Sequence, residues 1–207
     1  MKKNIFISLC LVLALMSSCK QISKKVLKLA DATVGTQMDS EDTYKIVVDL
    51  LGDIDPEWKV YAINVRNQGM EDECKNTFDG VWVRFINAEG ATYLQNLHPV
   101  KVAPSIDDRA PKGMTFNDLP AIDFTVEKAM KIINDCKAKI PEGYKFLNLD
   151  KYQVEYSSKE KGFVTSLTIN IQEEGKETVK VNGTQTGVYY KLYFYITPDG
   201  NIEMKEG

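Results

Sequence analysis

The chain reads as an α+β protein made of two tandem modules, each a helix packed on an antiparallel β-sheet. Three features predict this. Two segments carry apolar residues at helical spacing, and each is followed by runs that alternate apolar and polar residues. Turn signals separate those runs, and a short echo recurs at equivalent places in the two halves. The expected units are a signal peptide at 1–18, a tether at 19–40, a first helix-plus-sheet module at 41–103, a connector at 104–120 and a second module at 121–207.

At the N-terminus, Lys2 and Lys3 precede an apolar run from Ile5 to Met16, the length of a secretory h-region and too short to span a bilayer as a helix. The run closes on Met16-Ser17-Ser18-Cys19, which resembles the lipobox of bacterial lipoproteins. That resemblance implies cleavage after Ser18, a diacylated Cys19 and a body held at a bacterial membrane of the cell envelope, with the outer membrane the expected one and the periplasm or surface the expected side. Removing residues 1–18 leaves 189 of the 207 residues and moves the formal charge from −3 to −5 with the loss of Lys2 and Lys3. An acidic balance of this kind argues against nucleic acid as a partner. Residues 20–40 mix Lys, Ser, Thr, Gln and Gly around a brief apolar cluster at Val26, Leu27 and Leu29, the composition of a tether.

The first helix is expected from Ser40 or Asp42, with Tyr44, Val47, Val48, Leu51 and Ile54 on one side and Gly52 and Pro56 ending it. Strands follow at Lys59–Val65, Val81–Asn87 and Ala91 to about Val102. In the second of these, Val81, Val83 and Phe85 alternate with Trp82, Arg84 and Ile86, so one set faces a core and the other a neighbour or solvent. Pro104, Pro111, Gly113 and Pro120 make 104–120 irregular, and the domain boundary is placed there. Thr125 then caps a second helix with Val126, Ala129, Met130, Ile133, Cys136 and Ile140 on one face, stopped by Pro141 and Gly143. Further strands are expected at Tyr152–Tyr156, Phe163–Ile171, Thr178–Val181, Val188–Ile196 and Asn201–Lys205, with turns at Glu174-Gly175, Asn182-Gly183 and Pro198–Asn201.

The echo pairs Ile54-Asp55-Pro56-Glu57-Trp58-Lys59-Val60 with Ile140-Pro141-Glu142-Gly143-Tyr144-Lys145-Phe146, each at a helix-to-strand junction. Together with the closing stretch Tyr193 to Ile202, this order resembles the small helix-on-sheet modules of PepSY-like and β-lactamase-inhibitor-like periplasmic proteins. The resemblance covers residues 41–207 in topology only. It implies an inhibitory or protein-binding role and assigns no functional residue.

Motifs for catalysis are missing. His98 is the one histidine, before Pro99 at a strand end, so no histidine-based metal site or pair exists, and no nucleophile elbow, zincin, C-x-x-C or phosphate-loop pattern occurs. Carboxylates cluster at Asp53, Asp55 and Glu57 and at Glu71, Asp72 and Glu73, but without the loop glycine and distal glutamate of an EF-hand they read as solvated surface. No cofactor and no metal are expected. Cys74 and Cys136 are a candidate disulfide in an oxidising compartment, against the alternative of a buried Cys136 and a separate loop thiol.

The surface feature that stands out is the last long strand. Tyr190, Leu192, Phe194 and Ile196 form its apolar set, and Tyr189, Lys191, Tyr193 and Tyr195 form the opposite set, a candidate platform for a protein or a sugar. The functional expectation is a membrane-anchored, non-catalytic binding or interaction module, an inhibitor or accessory subunit whose partner is an envelope protein or glycan. The alternatives are an envelope hydrolase using dispersed carboxylates and a glycan or lipid carrier.

Overall fold

The computed structural model describes residues 35–67, 75–96, 103–181 and 184–206. Residues 1–34, and with them the expected signal segment, Cys19 and most of the expected tether, lie outside the described residues, as do Cys74, Glu71–Glu73, His98 and the expected Asn182-Gly183 turn.

Both helices form where their caps and spacing direct. In α1 (Glu41–Leu51), Ser40 Oγ accepts from the Thr43 amide at 3.3 Å, and Thr43, Tyr44, Val47 and Leu50 are buried. In α2 (Val126–Lys137), Thr125 Oγ1 accepts from the Lys128 amide at 3.3 Å, and Ala129, Ile133 and Cys136 are buried. The stretch expected as the end of the tether already belongs to the body, since Met38 is fully buried and Gln37 bridges Thr77.

The strands are β1 (Lys59–Asn67), β2 (Phe78–Ile86), β3 (Thr92–Asn96), β4 (Ser105–Ile106), β5 (Tyr144–Ser157), β6 (Gly162–Glu173), β7 (Thr178–Val181), β8 (Thr184–Gly187), β9 (Tyr190–Ile196) and β10 (Ile202–Glu206). Eight of them form one antiparallel sheet in the order β10-β9-β6-β5-β1-β2-β3-β4, and β7-β8 form a separate two-stranded ribbon. Glycines with positive φ make two of the reversals: Gly90 (φ 83°) closes the β2–β3 turn, where Asn87 Oδ1 accepts from the Ala91 amide at 2.8 Å, and Gly200 (φ 85°) closes β9–β10.

This architecture corrects the expectation of two tandem helix-on-sheet modules. The opening strands of the two halves, β1 and β5, pair with each other from Ala62 opposite Glu155 to Arg66 opposite Lys151, fusing the sheets edge to edge. Two separate modules would leave both edges with unpaired backbone groups, and the join removes them. The halves also share a core. Side chains of α1 and α2 pack with those of β1, β2, β5, β6 and β9 in one cluster, where Tyr44 meets Tyr152 edge-on at 5.3 Å and Lys137 pairs with Asp39 across the halves. Each large aliphatic side chain buried there contributes about 1.5–3 kcal/mol.

The two faces of the sheet follow from register, because residues directly opposite one another share a face. One rung runs Val83, Ile63, Val154, Thr165, Ile196, Ile202 across β2, β1, β5, β6, β9 and β10, and it lies beneath the helices. The connector crosses the opposite face. After Asp107 it lays Ala110, Met114, Phe116 and the buried Leu119 against Tyr61, Ala62 and Ile86, and Lys59 Nζ donates to the carbonyls of Phe116 and Leu119 at 2.8 Å each. Among the described residues, no helix is long and apolar enough to cross a membrane.

Candidate functional site

Away from the connector, the second face of the sheet is polar and aromatic. The rung next to the core rung runs Tyr195, Ser166, Gln153, Asn64, Trp82, Asn96 across β9, β6, β5, β1, β2 and β3, each residue half-buried. Four inter-strand spacings separate β9 from β2, so the strands that carry Tyr195 and Trp82 lie about 19 Å apart along the rung. The Arg66 guanidinium stacks over the Trp82 ring, 3.7 Å from its centroid, and pairs with Asp79 at 3.3 Å. Asn64 Oδ1 is buried in the middle of the rung and accepts no hydrogen bond, and Arg66 Nε donates none.

The platform expected from the last strand falls on this same face. Tyr193 is 43 % exposed, and Tyr189, Lys191 and Tyr195 are half-buried. Lys191 pairs with Asp150 at 3.5 Å and lies 6.0 Å from the Tyr189 ring centroid. Leu192, Phe194 and Ile196 are in the core as the alternation requires. Tyr190, placed with them by sequence, is instead 45 % exposed, its ring edge-on to Tyr144 at the margin of the core.

Where the connector meets β1, β2 and the β5–β6 hairpin, the polar face deepens into a cavity of about 540 Å³ lined by Arg84, Arg109, Lys112, Tyr61, Tyr156 and Tyr195 among others. Behind the lining residues Tyr61, Arg84 and Arg109 lies Asp107, whose side chain is 1 % exposed. Asp107 Oδ2 lies 2.7 Å from Arg84 Nε and accepts from the Tyr61 hydroxyl at 2.9 Å, while Oδ1 accepts from Arg109 Nε at 3.1 Å and from the Arg109 amide at 3.3 Å. Burial acts to raise the Asp107 pKa, but the bonds from Tyr61 and Arg109 and the Arg84 charge outweigh it, so the carboxyl titrates below its ordinary value. Burial, aided by the bond to Asp107, pushes the Tyr61 hydroxyl well up. The carboxylate therefore stays ionised and the phenol neutral at neutral pH. A second cavity of about 470 Å³ lies on the helix side between α2 and the β9–β10 turn, with apolar walls from Ile122, Phe124, Ile132, Phe163 and Ile202.

No family model, curated protein or solved structure matches the chain. Its site has to be read from its own side chains.

Among the described residues, no group of three or more His, Cys, Asp or Glu side chains stands close enough to hold a metal ion. Asp53, Asp55 and Glu57 are exposed, and Asp55 Oδ1 caps the Glu57 amide at 2.9 Å, an ordinary turn contact. Cys136 is a buried free thiol, its pKa pushed up to about 12 by burial. The residues that sequence reasoning missed are Asn64, Arg66, Arg84, Asp107 and Arg109. The strand alternation already set Trp82 and Arg84 on the face opposite Val81, Val83 and Phe85, which was the available signal; nothing marked Asp107.

Proposed function

We propose that this chain is a membrane-tethered, non-catalytic binding protein and that the polar sheet face takes a glycan of the cell envelope. The observation that carries the reading is the rung Tyr195, Ser166, Gln153, Asn64, Trp82, Asn96, a row of half-buried hydrogen-bonding and aromatic side chains across six strands. A hydroxyl-rich ligand fits this chemistry. Asn and Gln side chains both donate and accept, as sugar hydroxyls do, and the Trp82 and Tyr195 rings offer flat apolar surface at the two ends. A protein partner would call for a desolvated apolar centre, whereas this rung carries no aliphatic side chain. The tether follows from the lipobox resemblance at Cys19, which would hold the face to the membrane from which its ligand extends. A hydrolase would need a carboxylate free to move a proton, and the buried carboxylate here, Asp107, is held by three partners.

The test is a binding screen of the acylated full chain against solubilised envelope glycans, repeated with Trp82→Ala and Asn64→Ala. Saturable retention of a glycan, weakened about tenfold by either substitution, is expected from the loss of a buried hydrogen bond or an aromatic contact. Retention of no glycan, or retention by both variants as strong as by the unsubstituted chain, overturns the reading, as does recovery of a protein partner whose binding Trp82→Ala abolishes.

A further inference from the structure

We infer that the cavity beside the connector is an oxyanion subsite, which receives a carboxylate or phosphate carried by the ligand. This deepens the reading above and rests on it. Three cations line the cavity, Arg84, Arg109 and Lys112, against one carboxylate in its wall, Glu155, and one behind its lining residues, Asp107. Arg109 donates to Asp107 through Nε, and Arg84 Nε lies 2.7 Å from the same carboxylate as an ion pair without donating a hydrogen bond. A guanidinium has five N–H donors in a planar fork, so approach through Nε leaves the terminal Nη pair available for the bidentate grip that carboxylates and phosphates accept. Among the described residues, Asp107 is the only carboxylate in ion-pair distance of either guanidinium.

Asp107 is thus a positioning residue. It holds two arginines at the rim and offsets one of their two charges, and with Lys112 and Glu155 counted the cavity keeps an excess of one positive charge. Ser157 and Ser158 also line the cavity, and Tyr195 lines it while also ending the polar rung. The cavity is therefore continuous with the proposed glycan face. Its volume of about 540 Å³ lies within the range of small-molecule sites, about 300–1,000 Å³. The shared chemistry is an oxyanion on a sugar, from either a uronic acid or a sugar phosphate.

The experiment follows the side-chain Nε–H resonances of Arg84 and Arg109 in the ¹⁵N-labelled full chain. D-glucuronate, D-glucose 6-phosphate and neutral D-glucose are titrated in turn at constant ionic strength. Saturable shifts with at least one anion and none with D-glucose are expected, and whichever anion binds more tightly identifies the source. Arg109→Ala should weaken binding about tenfold and Arg109→Lys less, because Lys keeps the charge but loses the fork. Arg109 is 61 % exposed, so both variants should fold, and an unchanged circular-dichroism spectrum and Tm check this. Shifts with neither anion, equal shifts with D-glucose, or unchanged affinity in folded Arg109→Ala overturn the inference. A chain that retains neutral glycans through Trp82 yet binds neither anion keeps the proposed function and loses this subsite. A chain that binds an anion but no envelope glycan does the reverse.

Discussion

Replacing Asp107 with Ala tests whether the connector is part of the folded body. Three groups lose their partner. The Tyr61 hydroxyl becomes a buried donor without an acceptor, at about 1–3 kcal/mol. Arg84, whose side chain is 17 % exposed, loses its counter-charge; breaking a fully buried pair costs about 3–5 kcal/mol, and partial access to water reduces that. Arg109 is 61 % exposed and adds less than about 1 kcal/mol. The three share one network and do not add, so a loss of about 3 kcal/mol is expected. In urea denaturation with an unchanged m-value of about 2 kcal/mol/M, that lowers the midpoint by about 1.5 M. Tyr61→Phe should cost about 1 kcal/mol and Arg109→Ala less. The network also has a pH signature. Because the folded-state pKa of Asp107 is depressed, its contribution is fully present above its ordinary value of 3.8 and is lost as the pH falls from there through the folded value. Asp107→Asn should remove that acid-range slope. A change in stability within about 0.5 kcal/mol for Asp107→Ala, the range of an ordinary surface substitution, would refute the reasoning.

Two further outcomes concern the cysteines. Burial holds the Cys136 pKa up to about 12, so a thiol reagent at pH 8 should leave Cys136 unlabelled in the folded chain and label it at the rate of unfolding; immediate labelling, or a Cys74–Cys136 linked peptide in a non-reducing digest, would show otherwise. Mass spectrometry of the mature N-terminus should find Cys19 acylated, and an uncleaved or unmodified terminus would remove the tether from the proposed function.

Helices were legible because their determinants are local. Thr125 caps the second helix as expected, and Ser40, expected as one of two possible starts of the first, is its N-cap. The buried face of α1 differs slightly from the one its spacing predicts, with Leu50 buried and Val48 half-buried. The strand expected at Phe163–Ile171 lies within β6, but it is covered on both faces, with Val164, Thr168 and Asn170 buried opposite Leu167, Ile169 and Ile171. The first half of β5 went unread for a physical reason: register irregularities between Phe146 and Asn148 and between Leu149 and Lys151 break the two-residue period that marks a strand. The fusion of β1 with β5 left no sequence mark, because edge-to-edge pairing is made by backbone groups that every residue carries. Asp107 is the sharpest case. Its neighbour Asp108 has the same chemistry and is exposed, while Asp107 is buried under two arginines. Only the return of the connector across the sheet distinguishes them.

That fusion also explains why the proposed binding face exists. Successive side chains point to opposite faces, so the pairing that sets Ile63 opposite Val154 in the core necessarily sets Asn64 opposite Gln153 on the other side. A slip of one residue between β1 and β5 would turn Ile63 and Val65 out of the core and bury Asn64 and Arg66 beneath the helices, so the core specifies the register strongly. Trp82 and Arg84 come from the first half of the chain and Tyr193 and Tyr195 from the second. Neither half alone presents both ends of the rung. The apolar packing under α1 and α2 therefore positions the polar rung, and a core substitution that loosens the β1–β5 join should weaken glycan retention without touching a single residue of the binding face.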